Sequence, residues 1–262
     1  MKTGSRNGYD LKALLDEAYE RLATPAFITD DPVQVPRHFA RREDAEVIGF
    51  LTATIAWGQR KIIIRNGWKL ARLMDEAPHD FVLHASEAEL DRTAHFVHRT
   101  FNGMDLRQFI LGLRHLYTVH GGMEQAFLPA SATAPLPSMA EMIALLRSRF
   151  LEPAHERRTE KHLADPLRGS NAKRINMYLR WMVRPDDKGI DLGLWRRIPA
   201  SALHMPLDVH TGRVARELGL LHRKQDDWKA VVELTEALRR FDPQDPVRYD
   251  IALFGSGVAG RS

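Results

Sequence analysis

Apolar residues along this chain recur at intervals of three and four, and almost nowhere at intervals of two. That commits its backbone to helices that bury one face. Residues 9–23 show the pattern, with Leu11, Leu14, Leu15, Ala18 and Leu22 on one side before Thr24 and Pro25 stop the run. Residues 43–57 place acids in the first turn and then run almost unbroken through apolar side chains, which suits a helix buried on most sides, and Gly58 stands where it should end. The same periodicity predicts helices over 60–74, 101–120, 139–150, 209–221 and 227–240, and a last helix opening at Asp245 and Pro246. Shorter helical pieces are expected at 78–86 and 192–198, and 129–137 is the clearest loop. The fold class is therefore all-α.

With 262 residues, 44% of them hydrophobic, such a chain buries a substantial core without covalent staples. It contains no cysteine, so disulfides, thiolate metal sites, cysteine nucleophiles and cysteine-ligated iron–sulfur clusters are excluded together. The N-terminus lacks the apolar core of a signal peptide, and the longest apolar run falls short of a bilayer span, so a cytoplasmic protein with no membrane partner is expected. Charge is distributed unevenly. Residues 157–224 hold 15 Lys/Arg against 7 Asp/Glu, which is what a face for a polyanion would look like, or equally a solvated basic surface.

Within that basic stretch Ser170 suits an N-cap for a helix running to Val183. Its apolar side is Ile175, Tyr178, Leu179 and Met182, and its other side carries Lys173, Asn176, Arg180 and Arg184, so one face is expected to pack while the opposite one is basic. Backbone N–H groups around Gly169 to Ala172, at that helix start, are placed to hold a phosphate.

The segment 206–216 carries Asp208 directly before a helix start, where a carboxylate caps the helix whatever else it does. Its order of Leu207, Asp208, His210, Arg213 and Val214 resembles the signature of the helix-hairpin-helix DNA glycosylase/AP-lyase superfamily, of which endonuclease III is a member. Residues 50–60 resemble the early helix of that superfamily, with Gln59 in the place of the polar residue that inserts beside a flipped base. Residues 165–173 resemble its hairpin and the helix start that can carry a nucleophilic lysine, although the hairpin is degenerate. The 35 residues between Lys173 and Asp208, together with the missing cysteines, are more similar to the archaeal 8-oxoguanine glycosylase branch. Over its whole length the chain is most similar to a bacterial family of unknown function assigned to the superfamily.

The resemblance implies a two-lobed helical protein without an iron–sulfur cluster or other cofactor. A central bundle of residues 43–165 would accompany a second lobe made of 1–42 and 166–262. Damaged DNA, duplex or single-stranded, would lie across the cleft with the flipped base directed to Asp208. Lys173 would be the nucleophile of a base-excision glycosylase with AP-lyase activity, and Asp208 its electrostatic or proton-handling partner. Lysine attack and carboxylate stabilisation suit this chemistry because cleavage of an N-glycosidic bond develops positive charge on the sugar. Gln59 and Arg60 are the wedge candidates, and Arg174, Arg180 and Arg213 the charge contacts, with Arg184 and Arg216 as further ones. Trp57, Trp181 and His210 are base-pocket candidates, and Trp195 is a third stacking tryptophan.

Plainer readings stand beside these. Each tryptophan also suits a core, and Lys173 also suits an exposed lysine that binds phosphate or nothing. Pairs such as His95 with His98, or His115 with His120, lack a recognisable metal-ligand spacing, so no metal is expected. A non-catalytic DNA- or RNA-binding protein on the same fold is the alternative function, and a helical interaction module with no nucleic-acid partner is a third. The oligomeric state is not readable from the sequence.

Overall fold

A computed structural model of the chain describes residues 7–131 and 133–259 and is mostly helical, with one two-stranded ribbon. No helix among the described residues is long and apolar enough to cross a membrane. The chain divides into two compact units, one of Met1–Thr29 with Gly169–Ser262 and the other of Asp30–Arg168. Helix α1 (Asn7–Leu22) opens the first unit.

The second unit holds α2 (Gln34–Arg37), α3 (Arg42–Thr54), α4 (Arg60–Leu73), α5 (Pro78–His84), α6 (Glu87–Arg92), α7 (Gly103–Val119), α8 (Met123–Ala126) and α9 (Met139–Phe150). Residues 30–42, assigned by the sequence reading to the other lobe, belong here because α2 packs on α3 and α4. The central helix α3 is buried from Asp44 to Thr54, as its apolar run requires. Its Phe50 stacks on Phe109 of α7 with ring centroids 5.9 Å apart and meets Phe150 of α9 at 5.7 Å. Its N-terminal acids are used: Asp44, in the first turn, accepts the His79 N–H at 2.8 Å, and Glu46, in the second, accepts from Arg42 at 2.8 Å and from the Tyr117 hydroxyl at 2.7 Å. Strands β1 (Val97–His98) and β2 (Phe101–Asn102) form a small antiparallel hairpin before α7. Asn102 caps that helix in a reciprocal box with Asp105, so α7 begins at Gly103 instead of the expected 101.

In the first unit α10 (Lys173–Val183), α11 (Val209–Glu217), α12 (Trp228–Arg239) and α13 (Tyr249–Ala259) follow. Helix α1 packs on α13, and α13 on α11. Helix α10 is buried from Ile175 to Val183. Two details of its surroundings depart from the sequence reading. First, Ser170 is not its N-cap. The Ser170 hydroxyl accepts the Ala172 N–H at 3.2 Å and the Asn171 side chain accepts the Lys173 N–H at 3.3 Å, a tight turn that leaves Ala172 left-handed and starts the helix at Lys173. Second, residues 192–198 form no helix. Their N–H groups serve α10 instead: Leu192 donates to the Trp181 carbonyl at 2.8 Å and Trp195 to that of Met182 at 2.9 Å, meeting carbonyls that a helix C-terminus leaves open.

Candidate functional site

Lys173 and Asp208 are 35 positions apart in sequence, and side-chain amides tie their segments together. Asn171, two residues before Lys173, donates to the Leu207 carbonyl at 3.2 Å, and Asn176, one turn further into α10, donates to the Met205 carbonyl at 3.5 Å. The Met205 N–H in turn donates to the Thr235 hydroxyl of α12 at 3.1 Å. The extended stretch before Asp208 is thereby pinned between α10 and α12. Asp208 caps α11 with one oxygen, Oδ1, which accepts the N–H groups of His210 and Thr211 at 2.9 Å each. Its side chain is half-buried, as is that of Lys173, whose Nζ lies 3.7 Å from the Met177 sulfur.

Gly212 in the next turn is required by close packing. A Cβ there would stand 2.9 Å from Arg216 Nη1, 3.2 Å from Asp226 Oδ1 and 3.3 Å from Leu207 Cδ1. The small residue admits the Arg216–Asp226 ion pair, 2.6 Å, against the first turn of α11.

A third ionisable group completes this neighbourhood. Asp250 of α13 is buried, and its carboxyl is pushed up to about 6. Burial is the main cause and the negative charge of Asp208 adds to it, while Arg180 and Lys173 act in the opposite sense. Both candidate catalytic residues therefore act electrostatically on one buried carboxyl.

Several sequence-based assignments are corrected by this packing. Arg180 and Arg184 do not form an outward basic face; each is 3% exposed. Arg180 binds Asp191 at 3.2 Å and also Asp250, while Arg184 binds Asp191, Asp245 at 2.8 Å and the Tyr19 hydroxyl at 3.1 Å. Burial acts to lower the basicity of Arg184, but Asp191 and Asp245 outweigh it and hold it well above its usual value. Trp181 and Trp195 are core residues at 0% and 1% exposure, the second packing edge-on against Tyr178 at 5.5 Å, so neither presents a face to a base.

The remaining assigned residues stay accessible to varying degrees. Arg174 is half-buried, and that burial brings its guanidinium down to about 10. Arg213 is exposed and pairs with Glu217 at 2.8 Å. His210 is half-buried beside Val209, an apolar residue that is 73% exposed. Gly169 is exposed, and its carbonyl accepts the Trp228 N–H at 3.1 Å. The phosphate-holding role expected of the Gly169 to Ala172 N–H groups loses one donor, since the Ala172 N–H is already bonded to the Ser170 hydroxyl.

In the other unit, taken by itself, the turn after α3 carries Trp57, Gly58, Gln59 and Arg60. Trp57 is half-buried, T-shaped on His98 at 5.0 Å and stacked on His162 at 6.1 Å, so histidines occupy its ring. Gly58 has a left-handed φ of 102°, and a Cβ there would stand 2.7 Å from the Arg99 guanidinium. Gln59 is exposed at the N-cap position of α4, Arg60 is half-exposed as its first residue, and Lys61 and Arg65 are exposed behind it.

A family model described as "Protein of unknown function (DUF2400)" matches residues 31–259. The chain belongs to the DUF2400 family. No curated protein and no solved structure matches it. The DUF2400 match takes in Lys173, Asp208 and Asp250.

Sequence reasoning missed Asp191 and Asp250, and read Asp245 only as a helix opener and not as a partner of Arg184. One signal was present: Asp250 is a single acid in an otherwise apolar run, Tyr249 to Phe254, where an acid finds no solvent and needs a cation. Arg99 was missed as well, because its position against Gly58 depends on the β1–β2 turn. A surface depression lined by His222, Arg223, Lys224, Gln225, Lys229 and Glu233 is the other basic feature that was not singled out.

Proposed function

We propose that this DUF2400 protein is a DNA base-excision glycosylase of the helix-hairpin-helix superfamily, independent of an iron–sulfur cluster and carrying AP-lyase activity. Lys173 is its nucleophile, and Asp208 stabilises the cationic sugar. The observation that carries the proposal is the tie between the Lys173 and Asp208 segments, in which Asn171 donates to the Leu207 carbonyl at 3.2 Å and Asn176 to the Met205 carbonyl at 3.5 Å. The absence of cysteine and the order of residues around Asp208 add to it.

In this reading the neutral Lys173 amine attacks C1′ of the damaged nucleotide. The C1′–N bond breaks, its electron pair leaves with the base, and the base takes up a proton. Positive charge on the sugar is offset by Asp208, whose Oδ1 is engaged with the helix N–H groups and whose Oδ2 has no bond among the described residues. The attached amine gives up a proton, the C1′–O4′ bond breaks with O4′ taking up a proton to leave an open-chain iminium, and removal of a C2′ proton then expels the 3′ phosphate. The attack requires a neutral amine at Lys173, whose Nζ lies 3.7 Å from the Met177 sulfur.

Borohydride trapping tests the proposal directly, using oligonucleotides that carry 8-oxoguanine, uracil, oxidised pyrimidines or an abasic site. A covalent adduct with wild type that is lost with Lys173→Gln is the expected result. No adduct and no base release across the panel would overturn the catalytic reading. The cap made by Asp208 favours a second one, a DNA- or RNA-binding protein that performs no chemistry, because capping accounts for that carboxylate without catalysis. Salt-dependent binding unchanged by Lys173→Ala is its signature.

A further inference from the structure

Three potential metal ligands meet in the Asp30–Arg168 unit, remote in sequence from Lys173 and Asp208. His115 lies in the penultimate turn of α7, His120 is the residue that caps its C-terminus, and Glu152 follows the end of α9, the helix packed against α7. Both imidazoles direct Nε2 at the same carboxylate oxygen, Glu152 Oε2, at 2.6 Å from His115 and 3.0 Å from His120. The three donor atoms all lie within 4.8 Å of one another. We propose that His115, His120 and Glu152 bind one divalent transition-metal ion of the zinc class and clamp the end of α7 to the end of α9.

The geometry needs little adjustment. Donors about 2.1 Å from a tetrahedral ion stand about 3.4 Å apart, so the two close separations open by less than about 1 Å, and the separation between the two imidazoles, within 4.8 Å, closes by at most about 1.4 Å. Glu152 supplies that movement, since its side chain is 45% exposed, against 22% for His115 and 18% for His120. The two rings are held edge to face, with centroids 5.2 Å apart. The backbone at the ring positions is set by the helix end: His120 and Gly122 both donate to the Leu116 carbonyl, at 3.1 and 3.0 Å.

The chemistry of the set selects the ion. Two imidazole nitrogens and one carboxylate suit zinc, cobalt or nickel, and offer magnesium or calcium too few oxygens. Three protein ligands leave a fourth position for water on the exposed side of Glu152, as in open zinc sites. Among the described residues no protein group holds the outer ring nitrogens, so micromolar affinity is expected instead of the tighter binding that such support gives. The five-residue spacing of the histidines hid the site from sequence reading. On a continuous helix positions five apart diverge by about 140°, but His120 has left the helix and its ring returns toward His115.

The test is titration of metal-stripped, tag-free full-length protein with Zn²⁺ against a chromophoric chelator, paired with thermal melting. One equivalent bound, a rise in melting temperature, no response to Mg²⁺, and d–d absorption of a low-symmetry Co²⁺ complex are expected. His115→Ala, His120→Ala and Glu152→Gln are each expected to weaken binding at least about tenfold and to remove the thermal shift. Glu152→Gln preserves shape, so it reports even where a histidine variant fails to fold. His95→Ala, at a residue outside the cluster, should bind as wild type does. No uptake at a large excess of Zn²⁺, or equal uptake by the His115→Ala/His120→Ala double variant, would overturn the proposal.

Discussion

Helices α3 and α10 are the buried centres of their respective units, yet they solve burial differently. Along α3 the charged side chains are confined to the first turns, and the remainder packs as Val47, Ile48, Phe50 and Leu51 with almost no exposure. Along α10 two arginines enter the interior near the C-terminal end, where the helix dipole favours cations, and three aspartates from other segments neutralise them. An apolar helix centre depends on volume and shape. A charged one depends on every partner being present, because two ions taken out of water recover that cost only when paired and hydrogen-bonded. Removing a partner should therefore damage the first unit in a way that has no counterpart around α3. The charged centre is also the one adjoining the Lys173–Asp208 pair.

The largest effect is expected from Asp191→Ala, since Asp191 is 1% exposed and bridges both buried arginines. Leaving them without that partner should cost about 3–5 kcal/mol, read as a fall in the denaturant midpoint. Phe50→Ala in α3 should cost a similar ~3–5 kcal/mol through cavity formation. The two separate on rescue: Asp191→Asn restores shape without charge and should recover little, whereas Phe50→Leu should recover most of the loss. Equal recovery in both would remove the distinction between the two helices.

The pH response should differ next. Asp250 has a folded pKa of about 6 against an ordinary 3.8, so the folded protein holds its proton more tightly than the unfolded chain. A raised carboxyl favours the folded state most at low pH. Its contribution therefore falls as pH rises from about 4 to about 6 and is flat above that, by on the order of 2–3 kcal/mol in total. Denaturation midpoints of wild type and Asp250→Asn across pH 4–7 isolate this term as their difference, because background carboxylates are common to both. A difference that does not vary with pH would mean that Asp250 does not titrate in this window.

The contrast between the two helices also marks how far the sequence could be read. Periodicity located most of the long helices because it depends on burial of one face, and α9 was bounded correctly from Met139 to Phe150 for that reason. It misassigned the far side of α10, since Arg180 and Arg184 look identical in sequence whether they face water or the distant Asp191, Asp245 and Asp250. Only the tertiary arrangement distinguishes those cases. Residues 192–198 were misread because their backbone is set by α10's open carbonyls and not by local preference. The cap at Asp208 was legible because it acts on N–H groups two and three residues away. The approach of Asn171 to Leu207, across the turn that precedes α10, was not legible.

The smallest effect is also the one that divides structure from chemistry at Asp208. As a cap, this residue needs only an oxygen that accepts the His210 and Thr211 N–H groups, and asparagine supplies one as well as aspartate does. Asp208→Asn is therefore expected to change stability by only a few tenths of a kcal/mol, while Asp208→Ala loses about 1 kcal/mol. As the group that offsets charge on a developing sugar cation, Asp208 needs its full negative charge, which asparagine lacks. Melting temperatures of the two variants, set beside borohydride trapping of each, separate the roles. A stable Asp208→Asn that has lost trapping assigns the charge to catalysis. A stable Asp208→Asn that traps as wild type confines the carboxylate to its helix, and the charged centre around α10 would then serve only to hold the unit together.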